Sequence, residues 1–476
     1  MDVTIGFHDV AATAPLTIVS VTALVAILVD AFIPRSPKLL LWVSISGLAA
    51  ALAAALVALP DRGFAYAGMV TVGGYASFLA VVFCLSGILS MLFSAGYLSG
   101  QGIEKGEYYV LMLLAIAGMI LMASAADLVM FFLGLELMSI CFYVLAGFSR
   151  SNLLSNEAGL KYFLLGSFAT GFLLYGIALI YGSTGTTSIP AMVAAAAGHA
   201  GEPLFLIGLA LLLIGLAFKV AAVPFHMWVP DVYEGAPTTV TGFMSTGGKA
   251  AAFSAFLLVF APTVVGTIAS VREVLAAIAV LSMVVGNVIA IAQTSVKRML
   301  AYSSIAHAGY LLVGVVAGNA AGQNGVLFYL LAYTIMNVAA FGIVSILETR
   351  EGKHLTFGEY EGLSTRQPLL AAMMALFMFS LAGIPPFAGF FGKYYVFAGA
   401  IEAGYTWLAI VGVIMSVVSA YYYLRLSMVM YFREGVPGLV SPAPALAMVA
   451  LVLSALGVIG LGLFPSAVVH LTLPLF

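Results

Sequence analysis

Polar residues are sparse along this chain and fall mostly in short clusters between long apolar runs. A helix needs about 20 apolar residues to cross the hydrocarbon core of a bilayer. Runs of that kind predict fourteen spans: 1 at 12–33, 2 at 38–59, 3 at 70–97, 4 at 107–125, 5 at 127–148, 6 at 160–183 and 7 at 203–229. The remaining seven are 8 at 237–261, 9 at 272–294, 10 at 300–318, 11 at 323–347, 12 at 368–399, 13 at 405–430 and 14 at 442–466. Only a tight turn near Asp127 separates spans 4 and 5.

Spans 7 and 12 are too long for one straight helix. At 1.5 Å per residue they would measure about 40 and about 50 Å against a core of about 30 Å. Each contains a Pro-Phe step, Pro224-Phe225 in one and Pro385-Pro386-Phe387 in the other. Proline removes a backbone donor and clashes with the preceding turn, so both spans are expected to break there. Paired interruptions mark an inverted repeat with a site near the membrane midplane. The expectation is an all-α membrane protein of about 14 transmembrane helices, with inverted five-helix repeats formed by spans 4–8 and 9–13. The chain then divides into 1–106 (spans 1–3), 107–261, 262–434 and 435–476 (span 14).

Composition agrees: 63% of residues are hydrophobic and 8% charged, against roughly 25% charged in soluble proteins. A net charge of −2 provides no polybasic surface for nucleic acid. The opening MDVTIGFHDV has neither the basic start of a secretory signal nor the Arg/Ser-rich character of a transit peptide. Cys84 and Cys141 lie inside apolar runs and read as small buried hydrophobes rather than a disulfide. With no CxxC, HExxH, Walker loop or GxGxxG, no metal or cofactor is expected in this chain, and any redox centre or nucleotide belongs to a partner.

Twelve basic residues follow odd-numbered spans: Arg35, Lys38, Lys105, Arg150, Lys161, Lys297, Arg298, Arg350, Lys353, Arg366, Arg425 and Arg433. Only Arg62 and Arg272 lie on the other side. The positive-inside rule then places both termini outside the cytoplasm, which in a bacterial inner membrane would be the periplasmic side. Three of the seventeen basic residues remain, Lys219, Lys249 and Lys393, all inside spans.

Intramembrane charges are costly and usually mark a pathway. Glu136 falls about 13 Å into span 5 from Asp127; the simpler reading is a neutral carboxyl hydrogen-bonded to a neighbouring helix. Lys219 precedes the Pro224 break, where freed carbonyls and water would surround it; the alternative is snorkelling to a surface. Lys249 follows two glycines in span 8, which leave space for another helix or water. Lys393 follows the second break, and its alternative role is an interfacial anchor. Burial disfavours the charged form of an acid or a base, and pairing restores it, so a Glu–Lys pair would be switchable by a proton. His226 and His307 suit proton carriage, because imidazole titrates nearest neutrality, but either could be a packing histidine. Lys161 either feeds the path or anchors the cytoplasmic mouth of span 6. Asp30 and Asp127 read as interfacial acids.

Four stretches, LELMSICFYVLAGF, GLAFKVAAVPFHMWVPDVYEGAPT, QTSVKRMLAYSSIAHAGYLLVG and SLAGIPPFAGFFGKYYVF, resemble the antiporter-like membrane subunits of respiratory complex I, in the same order and over nearly the whole chain. The chain ends soon after span 14, where the L-type continues, and has Lys393 where the M-type has glutamate, so the N-type of a bacterial enzyme is the nearest likeness. The resemblance implies proton translocation coupled to NADH-to-quinone electron transfer, in a chain that itself does no redox chemistry. It pairs Glu136 with Lys219, makes Lys249 the central relay and connects Lys393 to the outer side. It also implies NAD, FMN, iron–sulfur clusters and quinone in partner subunits, homologous membrane subunits as neighbours, and a multi-pass place in the inner membrane. Competing readings are an Mrp-type cation/proton antiporter subunit, a membrane subunit of a formate- or hydrogenase-linked complex, and a non-conducting spacer. One deep carboxylate among several lysines favours protons over sodium.

Overall fold

The computed structural model describes residues 6–33, 36–348, 356–435 and 443–472. Arg35, Arg350 and Lys353 of the charge count lie outside the described residues, as do the first five residues. Thirteen helices are long and apolar enough to cross a membrane. Span 12 is the fourteenth crossing, formed by two shorter helices, Pro368–Ala382 and Ala388–Glu402, on either side of the Pro385-Pro386 break. Span 7 is likewise broken: Pro203–Val220 ends at Ala221, whose φ of 63° is left-handed, and Trp228–Gly235 follows. Both proline breaks therefore fall where the sequence places them.

Loop contacts sort by parity. After even-numbered spans, the hairpin Arg62–Ala65/Val70–Gly73 bridges to Ala125, and Asp127 bridges to Ser188. After odd-numbered spans, Ser295 bridges to Thr356. Even-numbered loops thus gather on one face, as fourteen crossings require. The hairpin is a departure in detail, because its second strand takes residues 70–73 from the predicted start of span 3, which begins at Gly74. A short helix, Ile189–His199, occupies the loop after span 6 and packs on Pro262–Thr267 after span 8.

Packing between spans relies on missing side chains. A Cβ on Gly118 of span 4 would lie 2.6 Å from the Met138 backbone nitrogen of span 5, and one on Gly134 would lie 2.6 Å from that of Met122. Small residues let membrane helices approach until their backbones touch, where dispersion and packing replace the hydrophobic effect. Spans 8 and 10 are each 94% buried over their most apolar window, whereas spans 6, 13 and 14 are 33% buried. The helices bearing Lys249 and His307 therefore form the centre of the molecule.

Candidate functional site

Span 5 starts from a capped turn. The Asp127 carboxylate accepts from the backbone N–H of Val129 at 2.8 Å and from the Thr187 hydroxyl at 2.5 Å. It satisfies an orphan donor at the helix start and ties two loops of one face together. Further along, half-buried Glu136 accepts from the Thr170 hydroxyl of span 6 at 2.9 Å.

Lys219 stands in the last turn before the break of span 7 and is 7% exposed. Its ammonium donates to Ser139 Oγ at 2.7 Å and Tyr143 Oη at 3.2 Å, both on span 5. The rings of Tyr143, Phe218 and Tyr162 lie 5.3, 5.9 and 6.0 Å from it, within cation–π range. It does not snorkel. Among the described residues no ion pair joins it to Glu136. Ser139, which Lys219 contacts, lies one helical turn beyond Glu136 on the same span. The break leaves fewer free carbonyls than proline alone suggests, since Trp228 Nε1 donates to the Phe218 carbonyl at 3.0 Å.

Lys249 is 2% exposed and follows a π-helical turn, Met244–Gly248, within span 8. Such turns widen a helix locally and recur at functional sites. Gly248 admits the ring of Phe142, which a Cβ there would meet at 2.6 Å. The Lys249 ammonium donates to the Ser304 carbonyl of span 10. One turn on, His307 is 1% exposed, with Nδ1 2.7 Å from Tyr329 Oη and Nε2 3.0 Å from Tyr423 Oη. Tyr423 is also hydrogen-bonded to Ser303. A proton can exchange between such groups with little movement.

Lys393 is 4% exposed, enclosed within the helix bundle. It donates to the carbonyls of Leu381 at 3.1 Å and Ala382 at 2.8 Å, and to Ser416 Oγ at 2.8 Å. These carbonyls end the first half of span 12, where helix termination leaves acceptors free. The Tyr310 ring lies 4.9 Å from its ammonium and 5.7 Å from the His307 ring. His307 and Tyr310 therefore stand between Lys249 and Lys393.

Two candidates lie apart from this file. Lys161 is ion-paired with Glu157 at 2.6 Å and Asp231 at 2.9 Å. Asp231 also meets Arg298 at 3.1 Å, which holds Glu234 at 2.7 Å, so this network pins the short helix Trp228–Gly235 to spans 6 and 10. Burial works against the Asp231 charge, but its hydrogen bonds to Lys161 and Arg298 prevail and hold the carboxyl below its usual range. His226 is half-buried, and its Nδ1 has no hydrogen-bond partner among the described residues.

Several basic residues of the charge count lie within helices rather than loops, among them Lys38, Lys161, Lys297, Arg298 and Arg425. Lys297 is not in a loop but in the first turn of span 10, 3% exposed, with its ammonium on the Ala236 carbonyl at 3.0 Å. Sequence reasoning also missed the hydroxyl partners Ser139, Tyr143, Thr170, Tyr329, Ser416 and Tyr423. Their only trace is polarity within otherwise apolar runs. No group of three or more His, Cys, Asp or Glu placed to hold a metal ion occurs among the described residues.

Residues 125–419 match the family described as NADH:quinone oxidoreductase/Mrp antiporter, TM. The chain is 48% identical over 463 residues to NADH-quinone oxidoreductase subunit N of Trichlorobacter lovleyi, covering 96% of this chain and 94% of the relative. It is 50% identical over 417 residues to subunit N 1 of Chloroherpeton thalassium, covering 87% and 86%. Among solved structures it is similar to a chain of respiratory complex I from Thermus thermophilus, at 37% identity and a TM-score of 0.83, over 96% of this chain and 99% of that one.

Proposed function

Because the chain belongs to the NADH:quinone oxidoreductase/Mrp antiporter family, we propose that it is an N-type membrane subunit of a NADH:quinone oxidoreductase, translocating protons while electrons pass from NADH to quinone in partner subunits. The relay runs through Glu136, Lys219, Lys249 and Lys393, with His307 between the last two. The observation that carries this reading is the file of three lysines, each at most 7% exposed, in which His307 and its tyrosines fill the interval from Lys249 to Lys393. Isolated buried charges cost several kcal/mol, so three in one bundle argue for use rather than packing.

Each group has a distinct part. Glu136 and Lys219 form the switchable pair: Lys219 rests on Ser139 and Tyr143 and reaches Glu136 by shifting about one helical turn along span 5. Lys249 is the central acceptor and donor. Lys393, on the freed carbonyls of span 12, delivers to the outer side. Lys161 acts in the network at the mouth of span 6, and His226 at the break of span 7 is an auxiliary carrier. The repeats 107–261 and 262–434 each bring one broken span to the midplane. NAD, FMN, iron–sulfur clusters and quinone reside in partner subunits, and both termini face the periplasm.

Purification under mild detergent tests the assignment. The chain should copurify with flavin and iron–sulfur subunits and with NADH:quinone activity. Isolation with cation-transport subunits alone would contradict it.

A further inference from the structure

Spans 8 and 11 pack antiparallel, and their polar residues meet in one register. At the end carrying the odd-numbered loops, Thr238 Oγ1 donates to Glu348 Oε2, while the Thr238 backbone N–H donates to Tyr97 Oη at 3.2 Å. Deeper, Asn337 Nδ2 donates to Ser245 Oγ at 2.8 Å. Deeper still, the Lys249 ammonium lies 6.0 Å from the Tyr333 ring. Thr238, Thr241, Ser245 and Lys249 recur at helical spacing, so span 8 presents one polar face from its first turn to the central lysine. Between the outer and middle contacts stands Phe341, whose Cβ would lie 3.2 Å from a Cβ on Gly242.

This seam is under-satisfied where it nears Lys249. Ser304 Oγ, Tyr333 Oη and Asn337 Oδ1 make no hydrogen bond of full geometry among the described residues and lie together, each side chain at most 1% exposed. The Tyr333 hydroxyl is close to both Ser304 and Asn337, and Ser304 is the residue whose carbonyl holds Lys249. An unpaired buried polar group costs about 1–3 kcal/mol. A polar interior with several such groups is where bridging water sits, each molecule making about 2–4 hydrogen bonds.

We propose that the seam between spans 8 and 11 is the hydrated inlet that supplies protons to Lys249, with Glu348 as the group that collects them; this rests on the relay reading above. A proton from the aqueous face protonates the Glu348 carboxylate. From there it passes beside Thr238 and Phe341 to water held by Ser245, Asn337 and Tyr333. It ends on the Lys249 amine once that amine has given up its previous proton, and Glu348 returns to carboxylate. Only O–H and N–H bonds are exchanged. Buried Lys297 and half-buried Glu234 are the charged side chains on the neighbouring elements. Phe341, packed against Gly242, stands between the two halves of this path.

The test uses the whole complex in proteoliposomes, with assembly checked by copurification, reading NADH-driven proton translocation and NADH:quinone turnover. Glu348→Gln should lower translocation on the order of tenfold, as loss of a positioned proton carrier does. Glu348→Asp should restore more than half of it, whereas a merely structural role would leave the aspartate variant as impaired as the glutamine. Asn337→Leu and Phe341→Trp, which dry or block the seam below Glu348, should lower translocation similarly; they decide the matter where Glu348→Gln fails to assemble. Normal translocation in the assembled variants, with Lys249→Ala inactive, would overturn the inlet and leave the relay standing. Normal translocation in Lys249→Ala would overturn the relay and the inlet together.

Discussion

Tyr143 engages Lys219 twice, through its hydroxyl at 3.2 Å and its ring at 5.3 Å, and Ser139 supplies a shorter contact at 2.7 Å. Lys219 is thereby solvated by protein on one side while Glu136, bonded to Thr170, is solvated on another. Removing either charge leaves its partner uncompensated, a penalty of about 3–5 kcal/mol where the pair is buried. The half-burial of Glu136 brings the effect toward the lower end. Glu136→Gln and Lys219→Ala should each abolish most pumping, and the double variant should be no worse than the poorer single one. A double-mutant cycle on pumping rate in assembled complexes measures this coupling. Strictly additive logarithmic losses would show that the two residues act separately.

Among the helices, glycine contacts set how closely the relay-bearing spans approach. Gly118→Ala drives a Cβ to within 2.6 Å of the backbone of span 5, which cannot yield as a side chain can. It should destabilise the folded subunit by about 1–3 kcal/mol, the usual range for overpacking. Gly100→Ala, with nothing within 4 Å of its Cβ, should be neutral or slightly stabilising. Thermal unfolding in detergent separates the two, and equal effects would contradict the packing account. The number and order of the spans and both breaks were legible in the sequence because apolar run length and proline are one-dimensional signals, whereas span ends shifted, as at span 6, which begins at Leu153. Glu136, Lys219, Lys249 and Lys393 were legible for the same reason, since charge within an apolar run stands out. The hydroxyl partners were not: serine and tyrosine fit apolar runs without conflict, and which of the 22 tyrosines face inward depends on helix rotation. The π-helical turn before Lys249 and the burial of Lys297 under Ala236 depend on contacts with other spans, which local sequence does not carry.

Across the whole molecule, the parity of loop contacts sets two faces, and the orientation we propose for them rests on the basic residues. The face of the odd-numbered loops holds twelve basic residues in the sequence, so it is read as cytoplasmic. Gly198→Cys, in the exposed helix Ile189–His199, should react with an impermeant thiol reagent from outside. Lys353→Cys should react only once the cytoplasmic side is opened, and labelling it from outside would reverse the orientation. Within this frame Lys249 is the central test, because it stands on one of the two most buried spans, bonded to the Ser304 carbonyl, and is where the proposed inlet and relay meet. The most direct measurement is NADH-driven proton translocation by assembled complex carrying Lys249→Ala or Lys249→Arg. Both should lose on the order of tenfold or more, since alanine carries no proton and arginine, with a pKa above about 12, does not release one. Wild-type translocation in the alanine variant would reduce Lys249 to packing and contradict the relay.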